Sequence, residues 1–272
     1  HEPDVRPRRN LGTVVKPIVV KIGGSLMESG DALRNVARAL APLWSGGLPL
    51  VLVHGGGRDI NRNLQWLGEE PQFKDGIRVT SEDALLIVEM TLSGTVNKRL
   101  VSLLQHEGAR SCGISGVDGS TLICRPLDPE LGRVGTVSQV RPALVEALLK
   151  DRFLPVMSPV SADTTGAHYN VNADDAASAL AIALKAERLV YVSDVPGVMD
   201  AQKHIVPRLN REAANALIQS GVIAGGMIPK VRSCLSAVEA GVGEVHICGF
   251  ATAEGLEAQI SGSVNSGTIV GV

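Results

Sequence analysis

Two lysines and a run of amide and acidic side chains stand beside glycine-rich turns in this chain. Lys21-Ile22-Gly23-Gly24-Ser25 places a lysine at the end of an apolar run, with two glycines behind it. A strand-to-helix turn of that composition exposes backbone N–H groups to an anion, assisted by the helix dipole. The lysine adds a mobile point charge. The same residues also suit a tight turn with a snorkelling lysine. His54-Gly55-Gly56-Gly57 follows the apolar run Leu50–Val53, and three glycines let a ligand approach the main chain closely. His54 itself reads as a satisfied structural histidine. Such a run also serves the oxyanion hole of α/β-hydrolases, but those need a G-x-S-x-G elbow, and no serine here has glycine at both −2 and +2.

Asn170-Val171-Asn172-Ala173-Asp174-Asp175 precedes the alanine-rich stretch Ala176–Leu184. One or two of these polar residues are explained as helix N-cap signals. The others are free to hold a ligand or orient an ammonium, and an Asp near two lysines stays ionised. In Gly225-Gly226-Met227-Ile228-Pro229-Lys230, Pro229 suits the first position of a helix. Lys230 then falls in the first turn, where the macrodipole disfavours a cation. A negative ligand would override that preference, and a solvated lysine tolerating a small penalty is the other reading. Ser193-Asp194-Val195-Pro196-Gly197-Val198 follows Leu189–Val192. A polar turn at the carboxyl end of a parallel strand is where open α/β sheets bind ligands, although an ordinary turn looks the same.

These groups need a frame. Ile18–Ile22, Leu50–Val53, Leu154–Met157, Leu189–Val192 and Val245–Cys248 are short aliphatic runs, which suit strands buried on both faces of a parallel sheet. Helical patterns lie between them, over Asp31–Leu43, Arg58–Leu67, Ser81–Glu107, Arg141–Leu149, Asp174–Leu184, Arg211–Gln219 and Lys230–Ala240. The alternation predicts an α/β sandwich with helices on both faces of a mainly parallel open sheet. No repeat or low-complexity linker divides the chain. A polar loop over Pro159–Tyr169 is the place where two α/β halves would meet.

Composition removes other classes. The 272 residues carry a formal net charge of −2, too little to grip nucleic acid or an anionic membrane. Three Phe, two Trp and two Tyr leave few rings for base stacking. No apolar stretch reaches the roughly 18 residues of a membrane span, and His1–Pro17 lacks the apolar run of about 7–15 residues that marks a signal peptide. The four cysteines Cys112, Cys124, Cys234 and Cys248 form no CxxC pair and read as free thiols in a reducing cytoplasm. The 30 glycines exceed the roughly 19 that average usage predicts. Neither a G-x-x-x-x-G-K-[ST] loop nor a G-x-G-x-x-G fingerprint is present, so any nucleotide is bound by another route.

In combination the motifs resemble the amino acid kinase family, over about Ile18 to Ala240. They are K-x-G-G, HGGG, K-x-G-x-R-V-T at Lys74–Thr80, G-x-V-N-K at Gly94–Lys98, N-V-N-A-D, S-D-x-x-G and G-G-M-I-P-K. The resemblance is strongest to members that phosphorylate N-acetyl-L-glutamate. It implies one domain over 1–272, built as a three-layer αβα sandwich. The half at about 18–165 would hold the acyl amino acid and the dimer contacts, and the half at about 166–272 would hold ATP. Lys21 and Lys230 would stabilise the transferring phosphoryl group and Asp174 would position them. Gly56, Gly57, Arg78 and Asn170 would bind the acceptor, with Arg78 on a carboxylate that guanidinium geometry suits. Gly23 and Gly24 would cradle phosphate, while Asp194, Val195, Pro196, Gly197, Val198, Met199, Val222, Ile223 and Ala224 would line the nucleotide side.

Transfer to a carboxylate needs no general base, because a free Glu titrates near about 4.3. It needs alignment and charge neutralisation. The implied cofactors are ATP and Mg²⁺, the metal held by phosphates and water with no protein ligand. Arginine-inhibited relatives share a helical amino-terminal extension and an L-L-E-[IL]-F-T-type run that this chain lacks. These departures weigh against arginine feedback and the ring-like hexamer that goes with it, and a cytoplasmic homodimer is implied, acting on a small molecule and on neither nucleic acid nor membrane. Two other readings carry weight: a non-catalytic amino-acid sensor, which would tend to lose the lysines, and a kinase of the same family for another acceptor, such as carrier-linked aminoadipate.

Overall fold

The fold is that of a computed structural model, which describes residues 16–27, 30–225, 227–263 and 266–271. Residues 1–15, and with them most of the amino-terminal stretch discussed above, lie outside the described residues, as does Gly226. The strands are β1 (Ile18–Ile22), β2 (Leu50–His54), β3 (Phe73–Lys74), β4 (Ile77–Arg78), β5 (Ser111–Ser115), β6 (Leu122–Pro126), β7 (Val134–Val140), β8 (Leu154–Ser158), β9 (Val160–Ala162), β10 (His168–Val171), β11 (Arg188–Ser193), β12 (Arg208–Leu209), β13 (Glu244–Gly249) and β14 (Thr268–Val270). The α-helices are α1 (Gly30–Ser45), α2 (Gly57–Trp66), α3 (Glu82–Glu89), α4 (Asn97–His106), α5 (Ala143–Lys150), α6 (Ala173–Ala183), α7 (Arg211–Gln219), α8 (Met227–Glu239) and α9 (Ala253–Ser261).

Eight strands form the central sheet in the order β12-β14-β13-β11-β1-β2-β8-β5. Its pairings are parallel except that of β13 with β14. Both faces are covered, as the continuous aliphatic runs require. One core holds Val19, Val51, Leu189 and Tyr191 with residues of α6 and α8. The other holds Ile18, Val20 and Ile22 with residues of α1, α4 and α9. Because side chains alternate along a strand, Lys21 points to the same face as Val19, toward α6 and α8.

The αβα sandwich agrees with the expectation, and the five aliphatic runs are its central strands. Two expectations are corrected. Ser81–Glu107 is not a uniform helix, since a π-helical segment over Met90–Val96 separates α3 from α4. Pro159–Tyr169 is not a polar loop. It carries β9 and the start of β10, which pair antiparallel within a small closed unit of order β10-β7-β6-β9. β9 also pairs with β6 and β10 with β7. No helix among the described residues is long and apolar enough to cross a membrane.

His54 ends β2 and is fully buried. Asn97 Nδ2 donates to its Nε2 at 3.0 Å and to the Val156 carbonyl at 2.9 Å. With Nε2 accepting, Nδ1 carries the proton and donates to the Gly55 carbonyl at 2.9 Å. His54 is thus the structural histidine expected, and Asn97 of the G-x-V-N-K run is the group that satisfies it. Burial lowers the His54 pKa to about 4, with the charge of Lys98 acting in the same direction. The unfolded chain takes up this proton near about 6.5 and the folded one only near 4, so stability rises with pH between these values. The window is worth about 3 kcal/mol. Urea unfolding at pH 7.5 and 4.5 is expected to show that loss in the parent and a smaller one in His54→Gln. Equal losses in the two proteins would refute the assignment.

Candidate active site

The carboxyl ends of β1 and β2 and the amino termini of α2, α6 and α8 meet at one place. Asn172 caps α6 by accepting from the Asp174 N–H at 2.7 Å, which is the capping role foreseen for one of the four polar residues. Asp174 then stands in the first turn of α6 and faces both lysines. Lys230 Nζ donates to Asp174 Oδ2 at 2.7 Å. Lys21 Nζ lies 2.8 Å from Oδ1. The three side chains are largely withdrawn from solvent, at 12% exposed for Lys21, 17% for Lys230 and 24% for Asp174. Burial pushes the Asp174 carboxyl up, but the two ammoniums outweigh it and hold it below the usual carboxylate range.

Within the chain, Lys230 is paired with the Asp174 carboxylate. α8 also begins at Met227, so Pro229 is its third residue and Lys230 its fourth. Two ammoniums share one carboxylate, and the cluster keeps a net positive charge with unused N–H donors. Gly23 serves it differently from the expectation. Its N–H donates to the Val192 carbonyl at 3.3 Å instead of waiting for an anion. A Cβ at Gly23 would sit 2.3 Å from Lys21 Nζ, so this glycine makes room for the ammonium. Gly24 opens the short 3-10 turn Gly24–Met27.

Beside the cluster lies a cleft of about 320 Å³. Lys21, Gly23, Gly55–Gly57, Arg78, Asn170 and Asp174 line it, so the structure brings the residues expected to bind the acceptor together with two members of the lysine cluster. The α2 amino terminus has no side-chain cap, and its first amides suit an anion. Gly56 is required by close approach, since a Cβ there would lie 2.7 Å from Leu92 Cδ2 in the π-helical segment. Asn170 Nδ2 donates to Thr80 Oγ1 at 3.2 Å.

Arg78 is 8% exposed. Its NH2 donates to the Gly57 carbonyl at 3.0 Å and to Asn61 Oδ1. Its guanidinium carbon lies 4.8 Å from the centroid of the Phe73 ring. NH1 is buried without a hydrogen-bond partner. Arg78 thus lines the cleft with part of its donor capacity unused, and guanidinium geometry suits a carboxylate.

The nucleotide-side residues are not part of this cleft. Asp194–Met199 follow β11 as a surface turn, in which Val198 turns inward at 1% exposed and its N–H donates to Thr268 Oγ1 at 2.8 Å. Ile223 is likewise 2% exposed. Both side chains belong to the core beneath α8, leaving only main chain to face a ligand, whereas Asp194, Val195, Pro196, Met199 and Ala224 are exposed and Val222 is half-buried. Sequence reading missed Asn61, Phe73 and Tyr191. Phe73 had one available signal, as one of three phenylalanines five residues before Arg78. Asn61 and Tyr191 had none.

Comparison with known proteins adds independent findings. The model of the amino acid kinase family matches residues 16–249. A protein of Methanoculleus marisnigri named acetylglutamate kinase is 43% identical over 245 residues, 85% of each chain. A protein of Brevibacillus brevis with the same name is 42% identical over 257 residues, 93% of this chain and 96% of the relative. Among solved structures, N-acetylglutamate synthase from Neisseria gonorrhoeae, in complex with coenzyme A and N-acetyl-glutamate, superposes with a TM-score of 0.83 at 25% identity. That match covers 94% of this chain and 59% of the other.

Proposed function

The chain belongs to the amino acid kinase family, and from that premise we infer the reaction it catalyses. It transfers the γ-phosphoryl group of ATP to the side-chain carboxylate of N-acetyl-L-glutamate, giving N-acetyl-L-glutamyl 5-phosphate and ADP in arginine biosynthesis. The observation that carries the site assignment is the carboxylate shared by Lys21 and Lys230 beside a cleft with an open Arg78 edge. The acceptor carboxylate attacks as the ionised nucleophile, so no residue has to remove a proton. Arg78 NH1 and Asn170 hold the rest of the acceptor, and the α2 amino terminus faces the oxygen that attacks. Lys21 and Lys230 neutralise charge on the transferring group. Asp174 keeps the two ammoniums at fixed positions on either side of its carboxylate. Asp194–Met199 and Val222–Ala224 border the nucleotide.

Mg²⁺ fits as a companion of the nucleotide. Among the described residues no group of three His, Cys, Asp or Glu side chains could hold a metal, and both Asp174 oxygens face ammoniums. Bound with the nucleotide, the ion would be held by phosphate oxygens and water and would offset polyphosphate charge. The same reading places the protein in the cytoplasm as a homodimer through its first half, where Leu86 and Met90 stand 57% and 53% exposed one turn apart on α3 and the π segment. Sedimentation of the parent and of Leu86→Asp checks the assembly, and a monomeric parent overturns it.

An ADP-release assay across N-acetyl-L-glutamate, free glutamate, aspartate, carbamate, UMP and carrier-linked aminoadipate tests the reaction. Turnover is expected with N-acetyl-L-glutamate in clear preference. A preference for another acceptor, or binding without ADP release, would replace this reading by a different kinase or by a sensor.

A further inference from the structure

Tyr191 adjoins the lysine cluster through Asp174 and Lys230 and has no place in the mechanism above. It lies on β11 in register with Lys21 on the neighbouring β1, and it is fully buried. Its hydroxyl donates to the Asp174 backbone carbonyl at 3.2 Å. Lys230 Nζ lies 4.9 Å from the centroid of its ring. We propose that Tyr191 is a positioning residue for phosphoryl transfer, its ring seating the Lys230 ammonium and its hydroxyl anchoring the first turn of α6 at Asp174. This inference rests on the phosphoryl-transfer reading of Lys230.

The physical need is specific. Lys230 sits in the first turn of α8, where exposed amides repel a cation. A flexible four-carbon stem would let the ammonium swing toward solvent. The face of an aromatic ring carries the negative end of its quadrupole and attracts a cation. With Asp174 Oδ2 accepting one N–H and the ring bearing on the ammonium from below, the remaining donor capacity is directed to whatever lies beyond the cluster. The hydroxyl completes the arrangement. A buried phenol seeks a partner, and here it ties the Asp174 peptide to the strand beside Lys21. One side chain thereby sets the relative positions of groups from β1, α6 and α8.

Kinetics of ring variants test this. Tyr191→Phe keeps the ring and is expected to hold kcat within about threefold, since only neutral hydrogen bonding of the hydroxyl, to Asp174 O and Ser233, is lost. Tyr191→Met, which fills similar space without a ring, is expected to lower kcat by about tenfold with KM for both substrates within about twofold. Fluorinated phenylalanines at position 191 withdraw electron density from the ring at nearly constant shape and leave the fold intact, so kcat is expected to fall stepwise with fluorine number. A flat response to fluorination, or equal kcat in Tyr191→Met and Tyr191→Phe, would overturn the proposal. Lys230→Ala, measured alongside, separates the two readings. If it keeps parental kcat, the phosphoryl-transfer role of Lys230 fails. If it loses kcat while the ring series is flat, only the role of Tyr191 fails.

Discussion

Lys230→Ala is expected to lower kcat by about three orders of magnitude, and Lys21→Ala by a similar factor, because each removes a preorganised charge from a transferring phosphoryl group. That factor corresponds to about 4 kcal/mol of barrier. The fold is expected to survive. Truncating one partner of a buried ion pair is costly when it strands the other charge. Here each deletion leaves Asp174 paired with the second ammonium, at 2.8 Å from Lys21 or 2.7 Å from Lys230. Asp174→Ala differs, because two ammoniums would then face each other without a counter-charge, and both stability and kcat are expected to fall. Thermal unfolding and kcat measured on the same preparations decide the matter. A lysine variant with kcat within about threefold of the parent would remove that lysine from the reaction.

Arg78→Ala is expected to raise KM for N-acetyl-L-glutamate about a hundredfold while KM for ATP stays near the parental value. Loss of one partner from a desolvated charge pair costs about 3 kcal/mol, which corresponds to that factor. Arg78→Lys is expected to recover little. An ammonium cannot donate to Gly57 O and Asn61 Oδ1, lie flat on the Phe73 ring and still present a second donor edge. The α-amide of N-acetyl-L-glutamate supplies the control: with that acceptor the parent and Arg78→Ala are expected to converge. If the difference between them persists, Arg78 acts on something other than that carboxylate.

The strands that carry the site were legible because apolar runs of four to five residues between glycine-rich turns have few alternatives to a parallel sheet. The π segment at Met90–Val96 was not legible. Its sequence fits the helical pattern on either side, so nothing local distinguishes it, while in the structure Leu92 and Val96 of this segment lie close against Gly56. The small closed unit of β6, β7, β9 and β10 was likewise missed, since its half-exposed strands mix polar and apolar residues without a clean period. Gly23 shows a third kind of limit. It was expected to offer its N–H to an anion, whereas the structure gives that N–H to Val192 and leaves room for the Lys21 ammonium.

Chemical type and local placement were determined by sequence alone. Lys21 ends a strand, Asp174 and Lys230 open helices, and the glycines cluster at the turns between them, because backbone propensity and capping act over a few neighbouring residues. Which of these groups touch was decided only by the tertiary structure. It gave Lys230 an internal carboxylate as partner, seated its ammonium on Tyr191, left one edge of Arg78 open to the cleft and turned Val198 and Ile223 into the core. Those outcomes depend on how separate strands and helices pack, and the positions of side chains distant in the chain become related only when a common core is buried.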